Sequence, residues 1–200
     1  MEMSARRAVL LPIVVGLVAA VAACGRVEAS KTPLEDKNDL RAVCEGGGFI
    51  GPKRTAFPDA AAYAGGQPPL IIVEHGGIDH SSTAAGWNMF HSSDLDIEPI
   101  ADPKLVQLVA CAEHGDDYEQ VGTCSFDEGE TAEVLRSSAK VTIFEARTAE
   151  KVTEITVDAA EYTCPFLLYY QGKPMVYTSP TLQEYREALT EAIPGVEVVT

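Results

Sequence analysis

Ala139-Lys140-Val141-Thr142-Ile143-Phe144-Glu145-Ala146 and, five residues on, Val152-Thr153-Glu154-Ile155-Thr156-Val157 decide the fold class. Both runs are dense in β-branched residues, which pack well on a pleated surface and lose side-chain freedom in a helix. Arg147 to Lys151 reads as the turn between them, so the pair predicts an antiparallel hairpin. Upstream, Leu105 to Cys111 (LVQLVAC) is apolar on both faces, as a central strand requires. His114-Gly115-Asp116-Asp117 supplies turn chemistry, and Tyr118 to Cys124 is expected to return as its hairpin partner. Leu70 to Val73 (LIIV) reads as a further buried strand.

Downstream, Phe166 to Tyr170 and Met175 to Thr178 flank Gln171-Gly172-Lys173-Pro174, a second expected hairpin. The last element changes period. Ser179 is placed to cap, Pro180 to open a helix, and Leu182, Tyr185, Leu189 and Ile193 recur at spacings of three and four. Pro194-Gly195 ends it. Leu34 to Val43 suits a helical turn or a strand, and Gly46 to Gly48 a loop. Four prolines and Gly65-Gly66 leave residues 52–69 without a long regular element. The expectation is an α+β fold: a mostly antiparallel β domain, sheet or sandwich, with one C-terminal helix near residues 180–193.

The first 24 residues divide differently. Arg6 and Arg7 precede an uncharged run from Ala8 to Ala23 (AVLLPIVVGLVAAVAA), broken by Pro12 and Gly16. A spanning helix wants about 20 apolar residues, whereas a basic start, a short apolar run and small residues at its end describe an export signal. Glu2 sits oddly in that start, and initiation at Met3 removes it. Val21-Ala22-Ala23-Cys24 resembles the lipobox of bacterial lipoproteins. That resemblance implies diacylglycerol on the Cys24 thiol, cleavage before Cys24 and acylation, palmitate among the chains, of the new amino group. Two or more chains hold a protein stably on a bilayer. The domain plan is therefore a signal peptide over 1–23, a flexible tether over 24–34, and one β-rich extracytoplasmic domain over 35–200.

An oxidising compartment turns the other four cysteines, Cys44, Cys111, Cys124 and Cys164, into two disulfides. Spacing alone leaves three pairings open, and no short-spaced pair suits zinc or a redox motif. The proposed hairpin favours Cys111–Cys124, which leaves Cys44–Cys164. Val106-Gln107-Leu108-Val109-Ala110-Cys111, then Cys124, then Glu145-Ala146-Arg147-Thr148 resemble stretches of exported bacterial proteins of no assigned function. The resemblance covers about residues 104–164, implies that these two cysteines belong to the scaffold, and carries no activity.

The chain holds 15 Lys and Arg against 30 Asp and Glu. From Cys24 onward 13 basic and 29 acidic groups remain, a net of −16, which repels a phosphate backbone and argues against nucleic acid as partner. Candidate chemistry gathers in Glu74 to Pro103. His75, His80 and His91 lie there with Glu74, Asp79 and Asp94, residue types that bind zinc or copper, though no spacing makes a firm motif. His75-Gly76-Gly77 is similar to an esterase oxyanion loop, but no G-x-S-x-G nucleophile elbow occurs. Gly46 to Lys53 departs from a phosphate loop at Pro52, and Asp94-Leu95-Asp96-Ile97-Glu98 departs from a calcium loop at Pro99. Trp87 and Phe90 offer apolar contact area for ligand binding.

These readings call for no catalytic residue and no cofactor. They describe a protein anchored on the extracytoplasmic face of the cell membrane, a non-catalytic binding or structural module whose partner is a protein, glycan or small molecule. The alternative is metal handling through His75, His80 and His91, with a hydrolase behind both.

Overall fold

A computed structural model of the chain describes residues 27–46, 53–75, 87–89, 100–115, 118–126, 129–160, 162, 164 and 174–199. Its strands are β1 (Val27–Ala29), β2 (Arg54–Ala56), β3 (Pro69–His75), β4 (Trp87–Met89), β5 (Leu108–His114) and β6 (Glu119–Ser125). β7 (Thr131–Arg136), β8 (Ser138–Glu145), β9 (Lys151–Asp158), β10 (Met175–Thr178) and β11 (Glu197–Val199) follow. Among the described residues two α-helices accompany them, α1 (Arg41–Cys44) and α2 (Leu182–Ala192). The architecture is α+β and rich in strand, with the expected helix at the C-terminal end.

Six strands form the central sheet, in the order β11-β3-β5-β8-β9 with β4 also on β3. The hairpin that opened the sequence reading is β8 and β9, antiparallel across a bulge between Ile143 and Phe144. β5 is central, as its two apolar faces demand, with Leu108 to Ala112 all buried. Its neighbours are β3, parallel, and β8, antiparallel. β11 also runs parallel to β3. The sheet is thus mixed, because the long crossover from β3 returns the chain in the same direction.

Alternation along the strands divides the core in two. Leu70, Ile72, Leu108, Ala110, Val141 and Ile143 face α2 and meet Leu182, Tyr185, Leu189 and Ile193. These four are the residues whose spacing predicted the helix. The cap lies two residues later than expected: Thr181 accepts from the Glu184 N–H, and the Glu184 carboxylate accepts from the Thr181 N–H. Gly195, at φ 82°, takes the left-handed turn after the helix that other residues resist.

Ile71, Val73, Val109, Cys111 and Phe144 point the other way, into Leu34, Leu40, Val43 and Phe57. That layer is irregular. A 3-10 turn over Lys37–Leu40, capped by Asp36, runs into α1, and β1 pairs with β2 in parallel. The stretch read as a tether therefore needs correcting. Residues 27–34 belong to the domain: Val27–Ala29 is in β1, Leu34 is fully buried, and its N–H donates to Asp59 at 3.0 Å. Residues 52–69, expected to hold no long regular element, contribute the three-residue β2.

The expected β5–β6 hairpin does not form. β6 pairs with β7, and β7 with β10, in a separate three-stranded sheet around Cys124, Ala132, Val134 and Val176. β6 is mostly exposed and does not suit a place beside a strand buried on both faces. The disulfide pairing changes with it. All four cysteines are bonded, but as Cys44–Cys111 and Cys124–Cys164, with Cα separations of 5.5 and 5.6 Å. The first ties α1 to β5, and the second ties β6 to the chain beyond β9. Of the second expected hairpin, Met175–Thr178 is β10, parallel to β7, while Phe166 to Tyr170 lies outside the described residues.

Candidate functional site at the carboxyl end of the parallel strands

β3 and β5 run side by side and end on Glu74-His75 and Glu113-His114, with Glu74 opposite Ala112 and His75 opposite Glu113. Glu74 continues the phase of Leu70 and Ile72, and His114 that of Leu108, Ala110 and Ala112, so both face α2. Tyr185, fully buried on that helix, donates its hydroxyl to Glu74 Oε1 at 3.0 Å. Burial, then the charge of Glu74, hold the Tyr185 phenol far above the usual tyrosine range, so it stays a neutral donor. His114 Nε2 stands 3.5 Å from the same carboxylate oxygen. That contact is electrostatic when the ring is protonated, and its geometry is not that of a hydrogen bond. Both ring nitrogens of His114 are shielded from solvent and make no hydrogen bond among the described residues.

The arrangement places a carboxylate and an imidazole together, both side chains more than four-fifths buried, outside the carboxyl ends of adjacent parallel strands. In open α/β sheets ligands bind outside the carboxyl ends of the parallel strands. The crossover from β3 to β5 leaves from this end, and β4, within it, returns beside β3, pairing Trp87 with His75 and Asn88 with Glu74.

His75 ends β3 as an exposed residue on the face opposite Glu74. His80, His91 and Phe90 lie outside the described residues, as does Cys24; Trp87 is described through its place in β4. Among the described residues no three His, Cys, Asp or Glu side chains converge as metal ligands. The residue passed over is His114, read as turn chemistry. Strand phase held the signal: extended by two residues, the α2-facing rows of β3 and β5 arrive at Glu74 and His114.

The opposite face carries a shallow cleft of about 300 Å³ lined by Ser30, Thr32, Asn38, Asp39, Arg41 and Thr55 among others. Arg41 is fixed there by donating Nε to the Asn38 carbonyl at 3.0 Å. Nearby in the chain, the Arg54 guanidinium lies 4.3 Å over the Phe144 ring. Among the described residues no helix is long and apolar enough to cross a membrane. No family model, curated protein or solved structure matches the chain.

Proposed function

We propose that the protein is an envelope domain, lipid-anchored through Cys24 on the extracytoplasmic face of the cell membrane, that binds a partner without chemistry of its own. Val21 to Cys24 supports the anchor, and two disulfides fit an oxidising compartment. The observation that carries the binding reading is the β3–β5 carboxyl end, where β4 pairs back onto the last residues of β3 beside the Glu74–Tyr185–His114 group. Binding residues are disproportionately carried on the connections between the elements of a rigid scaffold. The acidic surroundings favour a cationic or hydroxyl-rich partner, whether protein, glycan or small molecule.

The anchor is tested by detergent partition and mass analysis of the amino-terminal peptide. Wild type enters the detergent phase carrying lipid, and Cys24→Ala loses both lipid and processing. A soluble wild type with an unmodified cleavage product would refute it. The recognition surface is tested by a photoreactive residue placed at Asn88 or at Thr156 on the outer strand, in intact cells. A reproducible adduct forms at 88 and not at 156; adducts at 156 alone, or none, remove the assignment. Metal handling through His75, His80 and His91 forecasts a rise in melting temperature with stoichiometric zinc or copper that His75→Ala abolishes. No such rise is expected, and finding it replaces this reading.

A further inference from the structure

We infer that the domain lies directly on the bilayer, with β1 and the start of β2 against anionic phospholipid headgroups. The inference rests on anchoring at Cys24. Its new observation is how soon after that residue the fold begins. Val27 is already in the β1–β2 ladder, paired with Arg54, and Ser30 N–H extends the ladder by donating to the Ala56 carbonyl at 2.7 Å. Leu34, at 0% exposure, fixes the chain to the core shortly afterwards. Only three residue steps separate Cys24 from Val27, at most about 11 Å of fully extended backbone. The polar layer of one leaflet is itself about 6 Å deep, and a domain of this size has a radius of gyration of about 15 Å. The link is therefore too short for the domain to stand clear of the surface.

Charge is distributed to suit that posture. Arg26, Lys31, Lys37, Arg41, Lys53 and Arg54 place six of the 13 basic groups of the chain after residue 23 within residues 24–54, against five acidic ones. The rest of the chain carries seven basic and 24 acidic groups, a net of −17. An anionic bilayer attracts the first segment and repels the remainder, and its field reaches about 8 Å at physiological salt, within the span of the link. Val27, 45% exposed at the very start of β1, adds an apolar side chain at the point nearest the lipid. Lys53 is exposed next to Arg54, the partner of Val27, and pairs with Glu28 at 3.2 Å, while Lys31 is exposed four residues after Val27. Lys140 and Lys151 instead meet at Glu154, on the outermost β8–β9 end of the sheet.

The test reconstitutes the lipidated full chain on vesicles of phosphatidylcholine and phosphatidylglycerol and measures lysine acylation residue by residue. The comparison protein carries a flexible spacer of about twenty residues between Arg26 and Val27, enough to lift the domain away while leaving its fold alone. Lys31 and Lys53 should acylate several-fold more slowly in wild type than in the spacer variant, and by a larger factor than Lys140 and Lys151. Equal rates at all four lysines, with both proteins floating with the vesicles, overturn the inference and leave the anchor standing. A wild-type chain that does not float brings down the anchor, and the inference with it.

Discussion

The two faces of the central sheet are closed by different means. On one, α2 lays four apolar side chains at helical spacing onto a regular row of strand residues. On the other, short pieces (a 3-10 turn, a single turn of helix and two three-residue strands) cover the sheet, and Cys44–Cys111 locks them to β5. A helix of three turns brings its own hydrogen bonds and a continuous apolar stripe. Short irregular segments bring neither, so a larger share of their order has to come from a cross-link. The difference teaches that one face is stapled and the other is packed.

Breaking the staple should have the largest effect. Cys44→Ala with Cys111→Ala opens a 67-residue separation, and chain entropy puts the loss at about 4 kcal/mol, read from the denaturant midpoint. A loss below about 1 kcal/mol would show that the irregular face holds itself. On the packed face, Leu189→Ala removes a fully buried side chain and should cost about 3 kcal/mol, with no change in disulfide content. Tyr185→Phe keeps the ring but takes the hydroxyl from Glu74, and about 1 to 2 kcal/mol should be lost. If the substitution is neutral, Glu74 finds another donor and the group at the strand ends is not a unit.

The smallest effect distinguishes the faces by pH. The Leu34 N–H first, and Lys104 after it, hold the Asp59 carboxyl below its usual range. A depressed carboxylate contributes stability that is present above its unfolded pKa and lost as pH falls through the lower folded value. Acid should therefore loosen the stapled face, and Asp59→Asn should flatten the acid limb of the stability profile measured between about pH 5 and pH 2. A profile unchanged by that substitution would place the acid sensitivity elsewhere.

The packed face was legible in the sequence because its signals are local. Leu182, Tyr185, Leu189 and Ile193 announce a helix, and the β8–β9 runs announce a hairpin across five residues. The stapled face was not, since nothing in Leu34 to Val43 says that it packs on Val73 and Val109. The β5–β6 pairing failed for a related reason. A turn sequence at His114-Gly115 is compatible with a hairpin, but β8 outcompetes β6 for the doubly buried edge of β5, and that contest is settled by long-range packing. The cysteines followed whichever strand won. At the candidate site, Glu74 and His75 were singled out together, yet consecutive strand residues point to opposite faces, so the imidazole that reaches Glu74 comes from His114 instead.

β11 has a consequence in time. Glu197–Val199 docks beside Pro69–Ile71, so part of one edge of β3 is completed by residues far downstream of it in the chain. A polypeptide delivered amino terminus first, whether from a ribosome or through a membrane channel, must wait for them. Until then the row of β3 amides and carbonyls that will meet β11 lacks its partner, an open template for another chain. The growing molecule carries that open stretch of edge from the moment Ile71 emerges until Glu197 to Val199 follow.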